Sequence, residues 1–185
     1  MRVLLTFLVI ATISFSQAQT KIEGTEFGID GFFSASSYGG SFGAGLKYGF
    51  VVKEKFIFGP TFRYQRYWSN NITVGTKYGY NSFGLGGFGH ARFGNMLFMG
   101  AELEFMRSPY NTYGGITSNY TVAPALFLGG GFSREFNESI RINAGLYYDV
   151  INHPQSPFRD GYFMRRANGS YIPAIYRITF FFPLS

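Results

Sequence analysis

Past its first twenty residues the chain alternates between apolar and polar side chains in one strand-length segment after another, and no other feature restricts its fold as much. A period of two sends successive side chains to opposite faces of an extended strand. Eight such segments can be drawn: Glu26 to Ser34, Ser41 to Val51, Phe56 to Tyr67, Tyr78 to Phe93, Met96 to Met106, Asn119 to Ser133, Ser139 to Ile151 and Tyr171 to Phe182. In the seventh, Ile140, Ile142, Ala144, Leu146, Tyr148 and Val150 share one face, opposite Arg141, Asn143, Gly145, Tyr147 and Asp149. In the fifth, Leu97, Met99, Ala101, Leu103 and Phe105 oppose Phe98, Gly100, Glu102 and Glu104. A half-buried strand in water has the same signature, so alternation alone does not say what lies outside.

The connections say more. "VKEK", "GN" and "REFNE" are short, whereas "WSNNITVGTK", "RSPYNTYGGITS" and the stretch from Asn152 to Ser170 are long; only "SSYGGS" breaks the rule. Tight turns at one end and long loops at the other, joining segments that can cross a bilayer as tilted strand, predict an all-β, eight-stranded, up-and-down antiparallel transmembrane barrel. Pro60, Pro124 and Pro173 fall inside drawn segments, where a ladder cannot use a residue without an N–H, and so mark bulges or misdrawn boundaries.

Composition agrees. The chain has 23 Phe, 14 Tyr and 25 Gly among 185 residues, only 14% charged residues, and after Phe15 no run apolar and long enough for a spanning helix. The opening "MRVLLTFLVIATISFSQAQT" has a basic start, a short apolar core and then small residues at Ser16 and Ala18, which predicts an export signal over 1–18 cut after Ala18 and a barrel domain over 19–185. Without cysteine, an exported chain has no disulfide, no metal–thiolate site and no thiol chemistry.

Charge sorting is the sharpest consequence of the face assignment. The inner face collects Glu26, Asp30, Glu102, Glu104 and Asp149 against Lys47, Arg63, Arg92, Arg141 and Arg177. Arg66, two positions before Trp68, is the one charge left on the outer face within a segment. An outward Arg at mid-bilayer would cost about 2–4 kcal/mol, so this partition is what lipid exposure requires. Eight strands enclose just enough room for side chains, so the ion pairs predict a plugged lumen that neither conducts nor holds a cofactor. Excess positive charge gathers at the loops in Lys77, Arg107, Arg159, Arg165 and Arg166, with Asp160 the lone acid there. Such a rim fits either a solvated loop surface or contact with lipopolysaccharide phosphates; nucleic acid is not an expected partner of an exported barrel.

Two motifs point elsewhere. Gly84-Leu85-Gly86-Gly87-Phe88-Gly89 spells a dinucleotide fingerprint, but "HARFGNMLFMG" follows and alternates instead of opening a helix, so a glycine-rich hairpin is expected. His90 is read as a hydrogen-bonded inward residue beside Arg92. His153 lies near Asp149 and Ser156 at the loop end, where some small outer-membrane barrels that cut or transfer acyl chains keep a Ser, a His and an acid. These three are the candidate catalytic set, with polar loop residues as the alternative.

"SFSQAQ", "PALFLGGGF" at 124–132, "INAGLYYDV" at 142–150 and the aromatic last strand make the chain resemble the small outer-membrane β-barrel proteins of the Bacteroidota, flavobacterial ones in particular. The resemblance implies an outer-membrane location, surrounding lipid and lipopolysaccharide, and insertion by the barrel-assembly machinery. The usual assembly signal of such barrels ends in an aromatic residue, whereas here Pro183-Leu184-Ser185 follow Phe182. A structural or binding role is expected. The alternatives are a rim-active lipid enzyme and an accessory subunit of a secretion or motility complex, whose outward aromatics would meet another envelope protein.

Overall fold

The computed structural model describes residues 21–36, 39–71, 76–110, 116–136, 139–162, 164–165 and 171–184. The expected export signal over 1–18 lies outside them. Eight antiparallel strands close into a barrel: β1 (Ile22–Ser36), β2 (Gly39–Val52), β3 (Phe56–Asn71), β4 (Thr76–Phe93), β5 (Leu97–Tyr110), β6 (Ile116–Phe136), β7 (Ile140–Asp149) and β10 (Ala174–Leu184). Each pairs with its chain neighbour, and β1 pairs with β10 to complete the circle. Between β7 and β10 the chain forms a short 3-10 helix (Pro157–Gly161) and a two-stranded hairpin of β8 (Met164–Arg165) and β9 (Tyr171–Ile172).

The turn end is held by local chemistry. Lys53 and Glu54 both take φ of 52°, the left-handed pair that matches a hairpin turn to strand twist, and the Glu54 N–H donates to the Glu23 carboxylate at 3.0 Å. Gly94, with φ of 63°, supplies the same conformation between β4 and β5 at no steric cost.

Faces follow parity along the whole wall. Leu85, Met99, Phe132 and Leu146 are at least 60% exposed outside, while Lys47, Arg63, Glu102 and Arg177 are at most 1% exposed within. The glycine motif lies inside β4, which runs unbroken from Thr76 to Phe93. Gly86 faces inward where β5 crowds it: a Cβ there would come within 2.0 Å of the Leu103 carbonyl oxygen, whereas one on outward Gly87 would stand 3.6 Å from the nearest atom. Close backbone approach, not phosphate binding, explains the inward glycine.

Each proline has its own account. The β2–β3 ladder lapses between Lys47↔Thr61 and Phe50↔Phe58, around Pro60, and resumes in unchanged register, so no bulge is needed. Pro124 lies in the part of β6 that pairs with β5 but not with β7, whose pairing starts at Phe127↔Asp149. Pro173 is a boundary: the last barrel strand starts at Ala174 rather than Tyr171, and the Pro173 carbonyl accepts the Asp149 N–H at 2.7 Å.

Candidate functional site: a filled lumen and a charged loop end

Inward residues of β1, β2, β3, β5 and β10 meet on the barrel axis. Lys47 Nζ contacts Asp30 at 2.5 Å and Glu102 at 3.0 Å; Arg63 donates to Asp30 and Glu104, both at 2.7 Å; Arg177 donates to Glu104 at 2.8 Å and also to Glu102. Three acids thus balance three bases with no water-facing side. Buried ions stay charged only when paired and hydrogen-bonded; each of these six is paired, although Arg177 Nε and Nη2 have no hydrogen-bond partner among the described residues. His90 Nε2 lies 3.0 Å from Glu102 and 3.2 Å from the Tyr147 hydroxyl, so its lumen partners are these two and not Arg92. Arg92 instead grips Glu26 with two donors, at 2.7 and 2.5 Å.

Aromatic faces cover the network from both ends. Toward the turns, Lys47 Nζ lies 5.5 Å from the Phe88 ring centre and Arg92 5.2 Å from that of Phe181. Toward the loops, Arg177 lies 4.5 Å from Phe127 and 5.6 Å from Phe158, and Arg63 lies 6.0 Å from Phe158.

Phe158 belongs to a loop, and sequence pattern alone does not reveal its burial. The connection after β7, expected to stand outward, folds into the barrel mouth. Ser156 caps the 3-10 helix by accepting from the Phe158 N–H at 3.3 Å, and the Pro157 carbonyl accepts from Gln65 at 2.9 Å. The Gln155 carbonyl accepts from Ser108, and Asp160 accepts from the Tyr80 hydroxyl. Phe158 meets Phe127 edge-on at 4.9 Å. The Tyr162 hydroxyl donates to Asp149 at 2.7 Å; burial first, and that carboxylate second, hold its pKa well above the usual phenol range. The aromatic residues Phe158 and Tyr162 in this connection are the available signal for its inward turn.

Two members of the expected lumen network have other partners. Asp149 pairs with no cation among the described residues: one oxygen accepts the N–H groups of Leu126, Ile151 and Asn152, the other the Tyr162 hydroxyl. It stands where the β7 ladder ends, and its carboxylate takes up the donors which that ending releases. Arg141 pairs with Glu135, its cross-strand partner at the turn-end mouth, outside the central cluster. Glu135, expected in a turn, lies on strand instead, because β6 extends through Phe136.

The candidate catalytic set likewise has other partners. His153 Nδ1 accepts the Gln155 N–H at 3.3 Å, Ser156 Oγ serves the helix cap, and Asp149 is occupied as described. One stretch of chain carries all three; Asp149 and Ser156 both meet the Tyr162 hydroxyl, while His153 accepts from the Gln155 N–H. Among the described residues no group of three or more His, Asp or Glu side chains is arranged to hold a metal ion.

The expected basic rim divides. Arg107 projects from the outward wall of β5, with its guanidinium carbon 3.5 Å from the Tyr120 ring centre and 5.2 Å from that of Phe83. Arg159 lies partly exposed in the 3-10 helix. Lys77 falls on β4 and Arg165 on β8; Arg166 lies outside the described residues.

Compared with known proteins, the chain matches no protein-family model and no curated protein.

Proposed function

We propose that the chain is an integral outer-membrane β-barrel, related to the small barrels of the Bacteroidota, whose loop end faces the cell exterior and whose closed lumen serves a structural or binding role instead of transport. One observation carries this reading: the closed wall is apolar outside and ionic inside, the reverse of a protein built for water. Exposed Ile29, Leu46, Phe62, Leu85, Leu103 and Ile178 each come from a different strand, six of them around the circumference. Monomers in water rarely expose apolar patches beyond a few hundred Å², whereas hydrocarbon demands such a belt and a structure without open strand edges. The aromatic-capped ion-pair network and the docked loop lie in series along the axis and support a barrel that stays shut.

Expression of the whole chain followed by membrane fractionation tests the location. The protein is expected in the outer-membrane fraction, resistant to carbonate and released by detergent; recovery as a soluble periplasmic protein would refute it. In planar bilayers the purified barrel is expected to produce no discrete current steps. Regular openings would overturn the closed-lumen reading while leaving the membrane reading intact.

A further inference from the structure

We infer that the outward wall at the loop end, where Arg66 and Arg107 flank Asn81, binds the phosphate of a phosphorylated glycolipid in the surrounding outer leaflet. This rests on the membrane reading above. It moves the contact from the loops, where sequence alone puts it, to the wall.

Charge is spread unequally between the two ends of the barrel. By position in the chain, the turn end holds Lys21, Lys53, Lys55, Arg134 and Arg141 against Glu23, Glu54, Glu135 and Glu138, a near balance. The lumen is balanced by its own pairs. The loop end holds Arg66, Lys77, Arg107, Arg159, Arg165 and Arg166 against only Asp149 and Asp160. Both acids are turned inward, Asp149 to Tyr162 and backbone N–H groups, Asp160 to Tyr80. Two acids against six bases leave this end with a net positive charge that suits an anionic partner.

Geometry then selects two of the six. Arg66 and Arg107 lie on the barrel wall with exposed, outward side chains, whereas Lys77 stands further along β4, one position from its loop-side end. Arg66 pairs in register with Asn81, and Phe83, two positions along β4 on the same face, is level with Arg107 across the next ladder. The two arginines therefore stand on either side of one strand, two strand spacings or about 10 Å apart across the sheet and offset by two residues along it. Arg66 Nη1 donates to Asn81 Oδ1 at 2.8 Å, and the Tyr64 hydroxyl donates to the same oxygen at 3.0 Å. Arg107 lies on the Tyr120 and Phe83 rings. Among the described residues neither guanidinium contacts a carboxylate, unlike every arginine of the central network.

An arginine fixed against a ring or an amide keeps its planar donor fork aimed outward, which is the arrangement that suits bidentate binding of phosphate. Such a fork on an outward wall, bordered by Trp68, Tyr64 and Tyr120, sits where headgroups begin and acyl chains end. The outward charges at the turn end include both signs, Glu23 and Arg134, and do not make an equivalent site.

Trp68, the chain's single tryptophan, occupies the next outward position after Arg66 and reports on the site without labelling. The mature chain is refolded in zwitterionic micelles, and Trp68 emission is followed as a diphosphoryl glucosamine-disaccharide lipid, or the same lipid stripped of its phosphates, is added. The phosphorylated lipid is expected to give a saturable shift with a half-point at least roughly tenfold lower than the dephosphorylated one, a factor equivalent to about 1.4 kcal/mol. The Arg66→Gln/Arg107→Gln double variant should lose that preference, and Lys53→Gln/Lys55→Gln at the opposite end should keep it. Equal response to both lipids, an unchanged double variant, or an equal response to inorganic pyrophosphate would overturn the proposal. Each protein is also run unboiled and boiled on a gel. A chain that never gives a compact, heat-modifiable band defeats the membrane reading, whereas a folded barrel blind to phosphate defeats this site alone.

Discussion

Arg63 and Arg66 stand three residues apart on β3 and live in different worlds. Arg63 is fully buried and held by Asp30 and Glu104, each at 2.7 Å. Arg66 is exposed, bonded to the Asn81 amide, and has no acid beside it among the described residues. An odd separation sends them to opposite faces, so one pleated strand can supply both an ion to a dry interior and a cation to the outer surface. The inner arginine must be neutralised because it is fully buried; under the proposed membrane reading the outer one is tolerated because it lies near the end of the wall, where the cost of a lipid-facing charge falls toward zero.

Replacing the inner residue should do the most damage. Arg63→Gln leaves Glu104 and Asp30 short of a cation, and a loss of about 3–5 kcal/mol is expected in urea unfolding of vesicle-inserted protein. The glycines of β4 repeat the contrast. Gly86→Ala forces a Cβ into the Leu103 carbonyl and should cost about 1–3 kcal/mol, while Gly87→Ala on the outer face should change stability by less than about 0.5 kcal/mol.

The docked loop gives a third, local effect. Tyr162→Phe removes the donor to Asp149, weakening the seal by about 1–3 kcal/mol, to be seen as faster hydrogen exchange over residues 150–162 and not in global unfolding. Because the folded-state pKa of Tyr162 is raised, its contribution is fully present below the free-phenol value of 10.0 and is lost as pH rises through the folded value. Exchange corrected for intrinsic rate should therefore be flat to about pH 10 in the native chain and rise above it; the Phe variant should show no such rise. As small as the outer glycine change, Arg66→Gln should alter stability by no more than about 0.5 kcal/mol. A loss comparable to that of Arg63→Gln would erase the distinction between the faces.

Much of this contrast is legible in the sequence. Parity assigns Asp30, Lys47, Arg63, Glu102, Glu104 and Arg177 to one face, and closure of eight strands leaves them nowhere to go but toward one another. Parity says nothing about what happens where a ladder stops. Asp149, at the last position of β7, obeys the face rule and yet binds backbone donors, because its neighbours on the loop side are no longer strands. Arg141 likewise obeys the rule but finds its acid directly across the ladder, in a stretch whose polar composition reads as a turn. The inward fold of the last long connection depends on contacts between residues far apart in the chain, Gln65 with Pro157 and Tyr80 with Asp160, which no local pattern encodes. The proline positions are visible in the sequence as a difficulty, but only the pairing shows that an interrupted ladder, an edge and a strand boundary resolve them separately.

The central claim is that the outward face of the wall meets hydrocarbon, and the absence of cysteine makes it directly measurable. A single bimane probe on Leu103→Cys, which replaces an outward residue of β5 that is 40% exposed, would be read in vesicles carrying lipids brominated at mid-chain or in the presence of aqueous iodide. Strong quenching by the brominated lipid with little effect of iodide is the predicted result. Efficient quenching by iodide, with none from the brominated chains, would put that face in water and contradict the account.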